Sequence, residues 1–221
     1  MFKGGLSVRG MLWVVMLLLL CAGTVSAQTV EVLLILPDRY GVNYFLNRDY
    51  FQHFGWNITL TAVTDTVSPC PWGTTVYPLH DLAVDVVIDS IEDVTQYDAV
   101  LISSAYRHSG NPYGDLLNNP AALQLLVDAN SSGLVVGATC SGVRVLAAAD
   151  ILDGVHITGR AQYEQEYLDA GAIFLGESLP PVIDGTIVTT TKGMWYCINN
   201  CEAAADAIEA TQTLRNERGS Q

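Results

Sequence analysis

Basic residues are scarce in this sequence of 221 residues. Lysine and arginine together number 10, against 23 aspartates and glutamates, so the formal net charge at neutral pH is −13. Nucleic acids and anionic membrane surfaces bind proteins through clustered basic side chains, and we therefore expect neither as a partner. A metal-ligand pattern is also lacking, because Cys197 and Cys201 have neither zinc-site spacing nor a histidine pair beside them. We expect no metal, no cofactor, and a small-molecule ligand or substrate as the partner class.

The first residues have the composition of an export signal. Lys3 and Arg9 precede an uninterrupted apolar run over residues 11–22, and small residues follow as far as Ala27. A basic start, a short apolar stretch and a small-x-Ala ending are typical of a secretory signal that is cleaved. The sequence therefore predicts an exported protein, whether periplasmic, cell-surface or secreted. The alternative is a retained membrane anchor, although the apolar run is short for a span of about 20 residues.

The chain is long enough for one sizeable domain. We predict a signal peptide over 1–27, a single domain over 28–215 and a flexible tail over 216–221, because no linker or repeat interrupts the middle range. Only the signal segment is expected to meet a membrane.

Apolar runs typical of buried strands alternate with stretches typical of helices. Strands are predicted over 30–36, 58–63, 84–88, 97–103, 134–136, 155–158 and 172–175, a hairpin over 182–188, and helices over 42–54, 118–131, 143–149, 162–170 and from 201 or 202 to 214. A long loop is expected over 64–79. The alternation indicates an α/β fold with a doubly wound, mostly parallel sheet, whose sites lie at the carboxyl ends of the strands.

The stretch from Leu134 to Leu146 gives the clearest indication of a functional site. An apolar run leads into the small residues Gly-Ala-Thr-Cys-Ser-Gly around Cys140, and a helix-forming stretch follows. A strand that enters a helix through such a tight turn presents the side chain at its apex and points backbone N–H groups toward it. The helix start favours a thiolate over a thiol. We predict a nucleophile elbow at Cys140; the alternative is a small buried cysteine at a strand end.

Export would also raise the question of disulfides. An even number of cysteines remains after the predicted signal, which in an oxidising compartment suggests pairing. A bridge between Cys197 and Cys201 would require a break in a regular helix, for which the two asparagines between them are candidates. Cys70 and Cys140 would then be either free thiols or a second pair, and the sequence leaves both arrangements open.

Several segments resemble the PfpI family. The likeness lies in the elbow around Cys140, in Asp153-Gly-Val-His-Ile-Thr-Gly, in Tyr167-Leu-Asp-Ala-Gly-Ala and in Asp184-Gly-Thr-Ile-Val-Thr-Thr-Thr, and it covers about residues 30–210. This family belongs to the class I glutamine amidotransferase-like superfamily, which also includes the Parkinson-disease deglycase. The resemblance implies a flavodoxin-like sandwich and, because members are often dimers, a homodimer. It implies no single activity, since the family includes proposed peptidases, deglycases, glyoxalases, redox sensors and chaperones.

The helper residues that the family implies are largely replaced. Counting back from Gly55 places Asn43 where members commonly have a glutamate that hydrogen-bonds the elbow cysteine, and an amide cannot act as a general acid or base. Ser141 stands directly after the cysteine, where peptidase-like members have histidine, and Arg160 stands where others have one. The segment Ser103-Ser104-Ala105 replaces the usual Gly-Gly loop opposite the cysteine. The resemblance thus implies that the nucleophile is kept and its usual helpers are not.

Other residues are candidates for these roles. His108, in a loop at the carboxyl end of a neighbouring strand, is the candidate base, and Arg160 is a candidate cation that would favour the thiolate. The remaining candidate binding residues are Ser141, Gly142 and Ala105. We expect Cys140, with His108 and Asn43 as partners, to act as a nucleophile or redox-sensitive thiol on a small carbonyl or acyl compound, as a cysteine-dependent hydrolase or lyase. The alternative is a non-catalytic binding or interaction domain that kept the fold and lost the glutamate and histidine.

Overall fold

A computed structural model describes residues 29–70, 79–105, 111–177, 180–191 and 197–219, with side chains for all of these except 197–200 and 215–219. The predicted signal peptide, residues 71–78 of the predicted loop and the candidate base His108 lie outside the described residues. Within the described ranges, no helix has both the length and the apolar character needed to cross a membrane.

Short strands make up the sheets of the described residues. In chain order they are β1 (Glu31–Ile35), β2 (Arg39–Tyr40), β3 (Asn57–Ala62), β4 (Thr66–Pro69), β5 (Leu82–Ala83), β6 (Val86–Val87), β7 (Ala99–Ile102), β8 (Val135–Thr139), β9 (His156–Ile157), β10 (Ile173–Phe174), β11 (Val182–Asp184) and β12 (Ile187–Thr190). The α-helices are α1 (Val42–His53), α2 (Gly114–Asn118), α3 (Pro120–Ser131), α4 (Val143–Ala148), α5 (Glu164–Asp169) and α6 (Cys197–Gly219). Single 3-10 turns precede several of these elements, including one at Cys140–Gly142.

The central sheet has seven strands in the order β11-β12-β8-β7-β1-β3-β6. Every neighbouring pair in it is parallel except β11 and β12, which form an antiparallel hairpin. The strands β9 and β10 form a separate parallel pair, and β2, β4 and β5 form a third small sheet. The order reverses direction along the chain at β1 and β7, which places helices on both faces. The predicted fold class, an α/β fold with a doubly wound and mostly parallel sheet, is confirmed.

The core lies on both faces of this sheet. In β1, Leu33 and Ile35 pack on the side of α3 and α4, whereas Val32 and Leu34 pack on the side of α1 and α6. Side chains of a strand alternate between faces, so a strand that is covered on both sides has to be apolar throughout. This requirement explains why β1, β7 and β8 have the continuous apolar sequences that identified them.

Local capping signals correctly located one helix start and one turn. Asn119 caps α3, because its side-chain Oδ1 accepts a hydrogen bond from the Ala122 N–H at 2.9 Å, and Pro120 occupies the first turn. Gly185, at φ +59°, forms the predicted turn between β11 and β12. The extra helix α2 directly before Asn119 and the strand β4 within the predicted loop over 64–79 were not expected.

The last helix, α6, starts earlier than predicted, and this affects the predicted disulfide pairing. It begins at Cys197 instead of residue 201 or 202 and continues without interruption through the two asparagines. The helix break that a Cys197–Cys201 bridge would require is therefore absent, so this part of the prediction is wrong. Cys140 carries a free thiol, so the alternative bridge to the buried Cys70 is not formed either.

Candidate functional site

The end of β8 has the geometry of an elbow. Cys140 follows the last residue of β8 with φ +61°, a left-handed conformation that costs a residue with a Cβ atom free energy. The 3-10 turn Cys140–Gly142 and then α4 continue directly from it. The side chain is partly exposed. A strained, accessible cysteine between a buried strand and a helix is the arrangement that the small residues of this stretch predicted.

Glycine at position 142 allows the elbow to pack closely on its neighbours. A Cβ atom there would lie 3.3 Å from Ile102 Cγ2 and 3.3 Å from Tyr113 Cε1, both of which are held in the core. A side chain at this position would push the turn away from β7. Gly142 therefore contributes close packing of the elbow, and its predicted role in binding remains a prediction.

Two buried tyrosines lie near Cys140. Burial raises the pKa of the Tyr113 and Tyr167 hydroxyls well above their ordinary value, and the nearby Cys140 contributes to the rise in both. Both phenols therefore keep their protons at neutral pH. The thiol itself lies 4.0 Å from Ser141 Oγ, at the limit of a weak hydrogen bond. Sequence reasoning missed both tyrosines, because their approach to the elbow depends on packing between distant segments.

The hydroxyls of these two tyrosines differ in their hydrogen bonding. Tyr113 Oη accepts the Ala105 N–H at 2.9 Å and donates to the Ser103 carbonyl at 3.3 Å. The N–H of Ala105, which was a candidate to face the cysteine, is therefore bonded to Tyr113. Tyr167 Oη is buried and has no partner within hydrogen-bonding geometry among the described residues, although the Arg160 backbone lies near it. A Cβ at Gly159 would lie only 2.9 Å from this oxygen.

Asn43 lies at the start of α1, which follows the carboxyl end of β1, and so is on the same side of the sheet as Cys140. Its Nδ2 donates to Ser104 Oγ, which joins α1 to the segment after β7, and the side chain is 4% exposed. The amide oxygen Oδ1 has no partner among the described residues. No hydrogen bond joins Asn43 to Cys140 in the described structure. The structure thus pairs Asn43 with Ser104, and its predicted catalytic role remains a prediction.

Arg160 and Arg144 each form an ion pair with a carboxylate. Arg160 Nη1 forms an ion pair with Glu177 Oε1 at 2.7 Å, so its charge is shared with that side chain. Arg144, four residues after Cys140, pairs with Glu166 at 2.7 Å and lies 4.2 Å from the ring centre of Tyr163.

One acidic side chain at this edge is poorly solvated. Asp38 follows β1, and its Oδ2 accepts the Asp115 N–H at 2.9 Å. Its other oxygen, Oδ1, is buried without a partner among the described residues. Burial raises the pKa of Asp38 above its ordinary value, in spite of the hydrogen bond from Asp115 that lowers it. The described residues contain no cluster of three or more His, Cys, Asp or Glu side chains that could hold a metal ion.

Comparison with known proteins gives a consistent family and fold. The model of the DJ-1/PfpI family matches residues 30–199. The fold is similar to that of the ThiJ/PfpI domain protein from Brachyspira murdochii, with 17% identity, a TM-score of 0.66 and coverage of 85% of this chain and 99% of that one. It is also similar to DJ-1beta of Drosophila melanogaster (15% identity, 83% and 91% coverage, TM-score 0.65) and to DJ-1 of Schizosaccharomyces pombe (15%, 83% and 97%, 0.64).

At these identities the structural likeness shows the fold alone. No curated protein has a significantly similar sequence. What the site does must therefore be argued from its own residues.

Proposed function

The chain belongs to the DJ-1/PfpI family, and we propose that Cys140 is its reactive centre, a thiol nucleophile that attacks a small carbonyl or acyl compound. The observation that carries this proposal is the left-handed backbone of Cys140 at a partly exposed elbow. A conformation that costs free energy persists where the surrounding fold enforces it, and such positions cluster at functional sites. Cysteine adds a reactive atom to that position.

The proposed step forms a bond from sulfur to the carbonyl carbon while the carbonyl π electrons move to oxygen. With an aldehyde, protonation of that oxygen gives a thiohemiacetal. With an acyl compound, the oxyanion returns its electrons and expels the leaving group, and water then hydrolyses the thioester. In both cases the oxyanion needs hydrogen-bond donors. The first backbone N–H groups after Cys140, those of Ser141 and Gly142, lie at the start of the turn and supply candidates.

Tyr167 is the proposed side-chain donor at this site. Its hydroxyl is buried, has no acceptor among the described residues, and lies close enough to Cys140 for the two groups to influence each other electrostatically. A tyrosine hydroxyl is protonated at neutral pH, and the raised pKa of Tyr167 keeps it so at higher pH, so it can donate to an oxyanion or to a thiolate. Such a donor would partly replace the family's missing glutamate and histidine.

The charges around the elbow favour an uncharged substrate. Arg144 and Arg160 are both held in ion pairs of 2.7 Å with carboxylates. An anionic substrate would therefore have to compete with a carboxylate for either guanidinium. Neutral aldehydes, ketones and esters fit this environment better than keto acids or acyl phosphates.

The test is a turnover assay with a panel of small neutral aldehydes, active esters and thioesters on the purified protein. We expect saturable turnover of at least one compound, lost by at least about 100-fold in Cys140→Ala because the bond-forming atom is removed. Ser141→Ala is the matched control, since it removes the neighbouring hydroxyl and leaves the thiol. Full turnover by Cys140→Ala would contradict the proposal.

A second candidate is a non-catalytic binding domain. The observations that favour it are the engaged N–H of Ala105 and the ion-paired Arg160, because both helpers anticipated from the sequence have other partners. This alternative predicts saturable ligand binding, measured as a rise in melting temperature, that is unchanged in Cys140→Ala and occurs without turnover.

We also propose that the protein is exported. This proposal rests on the basic start, the apolar run and the small-x-Ala ending that precede Gln28. N-terminal sequencing of the protein recovered from a secretory host should give Gln28 as the first residue. A full-length chain retained in the membrane fraction would support an anchor instead.

A further inference from the structure

Arg144 links the helix that follows the elbow to two other segments of the fold. It lies in the first turn of α4, and its side chain is 16% exposed. Its Nε donates to Glu166 Oε2 at 2.7 Å, and its Nη1 donates to Asn111 Oδ1 at 3.2 Å. Its guanidinium carbon lies 4.2 Å from the ring centre of Tyr163. One side chain thus joins α4 to α5 and to the loop before α2.

These contacts depend on the shape of the guanidinium. Its N–H groups form a rigid planar fork, so hydrogen bonds from two of its nitrogens restrain its plane, and the Tyr163 ring restrains it further. A lysine ammonium is a point charge on a flexible stem and does not reproduce this geometry. The helix itself does not favour a cation here, because the first turn is the positive end of the helix dipole. The partners of Arg144 in the other segments therefore account for its orientation.

The contact with Asn111 anchors the guanidinium to the segment that carries Tyr113. The turn over 111–114 is closed by a hydrogen bond from the Gly114 N–H to the Asn111 carbonyl at 3.2 Å. The Tyr113 ring packs on the elbow turn, since a Cβ atom at Gly142 would lie 3.3 Å from its Cε1. Arg144 is therefore attached, through Asn111, to a segment that packs directly against the elbow.

The contact with Glu166 reaches the segment that carries Tyr167. The two residues are adjacent on α5, with Glu166 exposed and Tyr167 fully buried. Burial raises the pKa of Tyr167 and the charge of Arg144 acts against this rise, so the guanidinium lies within electrostatic range of the phenol. Arg144 therefore restrains the helix that presents the proposed hydrogen-bond donor to Cys140.

We propose that Arg144 is a positioning residue, which holds Tyr167 against Cys140 and acts on the Cys140 reaction through that hydroxyl. The proposal rests on the reactivity of Cys140 that the proposed function assumes. A misplacement of about 1 Å can slow a reaction by about 100-fold. A residue that touches no reacting atom therefore controls the rate when it fixes the position of a donor.

The experiment measures the rate of Cys140 alkylation by iodoacetamide across a pH series in the wild type, Arg144→Met, Tyr167→Phe and the double variant. Arg144→Met keeps an unbranched side chain and removes the guanidinium, and we expect it to slow the reaction by about threefold or more. In the Tyr167→Phe background it should have no further effect, because the group through which it acts is gone. An unchanged rate in Arg144→Met, or the same rate factor in both backgrounds, would overturn the proposal.

Arg48→Met is the matched control. Arg48 also forms an ion pair of 2.7 Å and lies 5.0 Å from a ring centre, that of Phe45, but its carboxylate partner is the adjacent Asp49 on the same helix. Its removal should leave Cys140 alkylation unchanged. Arg144→Lys keeps the charge and loses the fork, so it should slow the reaction as Arg144→Met does. Full rescue by lysine would overturn the proposal, since the charge alone would then be sufficient.

Asn111→Ala decides the question if Arg144→Met fails to fold. It removes one anchor at an exposed residue and should slow Cys140 alkylation by about twofold, an effect that Tyr167→Phe should abolish. An unchanged rate would overturn the proposal. Alkylation needs no substrate, so these rates are independent of the turnover assay. Loss of turnover in Cys140→Ala together with additive alkylation effects would overturn this proposal and leave the proposed function standing, whereas full turnover in Cys140→Ala with non-additive effects would do the reverse.

Discussion

Buried polar groups differ in their hydrogen bonding between the two ends of the parallel strands. We call these the amino edge, where the strands begin, and the carboxyl edge, where they end. At the amino edge, Asp98 Oδ2 accepts the Glu31 N–H at 3.0 Å, and the main chains of the same two residues bond at 2.8 Å. At the carboxyl edge, by contrast, buried polar atoms remain without partners among the described residues, namely Asp38 Oδ1, Asn43 Oδ1, Ser103 Oγ and Thr190 Oγ1.

This difference separates structural from functional polar groups. Buried polar atoms in folded proteins are nearly always hydrogen-bonded, and exceptions concentrate where a ligand, water or reaction supplies the partner. At the amino edge, the Asp98 carboxylate stabilises the pairing of β1 and β7. The carboxyl edge retains unsatisfied groups around a strained cysteine, which is where an open parallel sheet places its site. The comparison predicts opposite effects on stability for substitutions at the two edges.

The largest effect is expected at the amino edge. Asp98→Ala removes a largely buried acceptor and leaves the Glu31 N–H unsatisfied, so we expect the free energy of unfolding to fall by about 2 kcal/mol. Urea denaturation of the purified protein measures it. Asp65→Ala, at an exposed aspartate, should change the free energy by less than about 0.5 kcal/mol. Equal effects of the two substitutions would remove the structural role assigned to Asp98.

A smaller and opposed pair of effects is expected from the two tyrosines. Tyr113→Phe deprives the Ala105 N–H of its acceptor and should lower the free energy of unfolding by about 1–2 kcal/mol. Tyr167→Phe removes a hydroxyl that makes no well-formed hydrogen bond among the described residues, so stability should be unchanged or slightly higher, while the rate of the Cys140 reaction falls. The readouts are urea denaturation and the rate of Cys140 alkylation against pH. A loss of stability in Tyr167→Phe equal to that in Tyr113→Phe would show that both hydroxyls are structural.

The smallest effect is expected at Asp38 and depends on pH. Because burial raises its pKa in the folded protein, Asp38 contributes most to stability below its unfolded pKa, and that contribution is lost as the pH rises through the folded pKa. Asp38→Asn cannot ionise and should therefore be more stable than the wild type at pH 7, by less than about 1 kcal/mol because solvent screens a half-buried carboxylate. The difference should disappear near pH 3. A gain that is independent of pH would show that ionisation of Asp38 is not its cause.

Local sequence predicted the fold well where the signal is short-range. The apolar run before Cys140, the Asn119 cap with Pro120, and the Asp-Gly turn of the hairpin each depend on a few adjacent residues, and the structure confirms them. The start of α6 was wrong because two asparagines were taken as a helix break. Their intrinsic cost is only a few tenths of a kcal/mol each, and the packing of α6 on α1 and β8 outweighs it.

The candidate site was only partly predictable. The elbow could be recognised because its strand, small residues and helix are contiguous in sequence. Tyr113 and Tyr167 could not be recognised in this way, because their burial near Cys140 depends on how α2 and α5 pack against the rest of the fold.

The most direct test of the account is the alkylation rate of each cysteine in the non-reduced protein, measured with iodoacetamide across a pH series and resolved by peptide mass spectrometry. We predict that Cys140 reacts at least about tenfold faster than glutathione below pH 7, because the elbow exposes the sulfur and points backbone N–H groups toward it. The buried Cys70 and Cys201 should react slowly. If Cys140 reacts no faster than glutathione at every pH, the elbow is structural in this protein and the proposed chemistry is wrong.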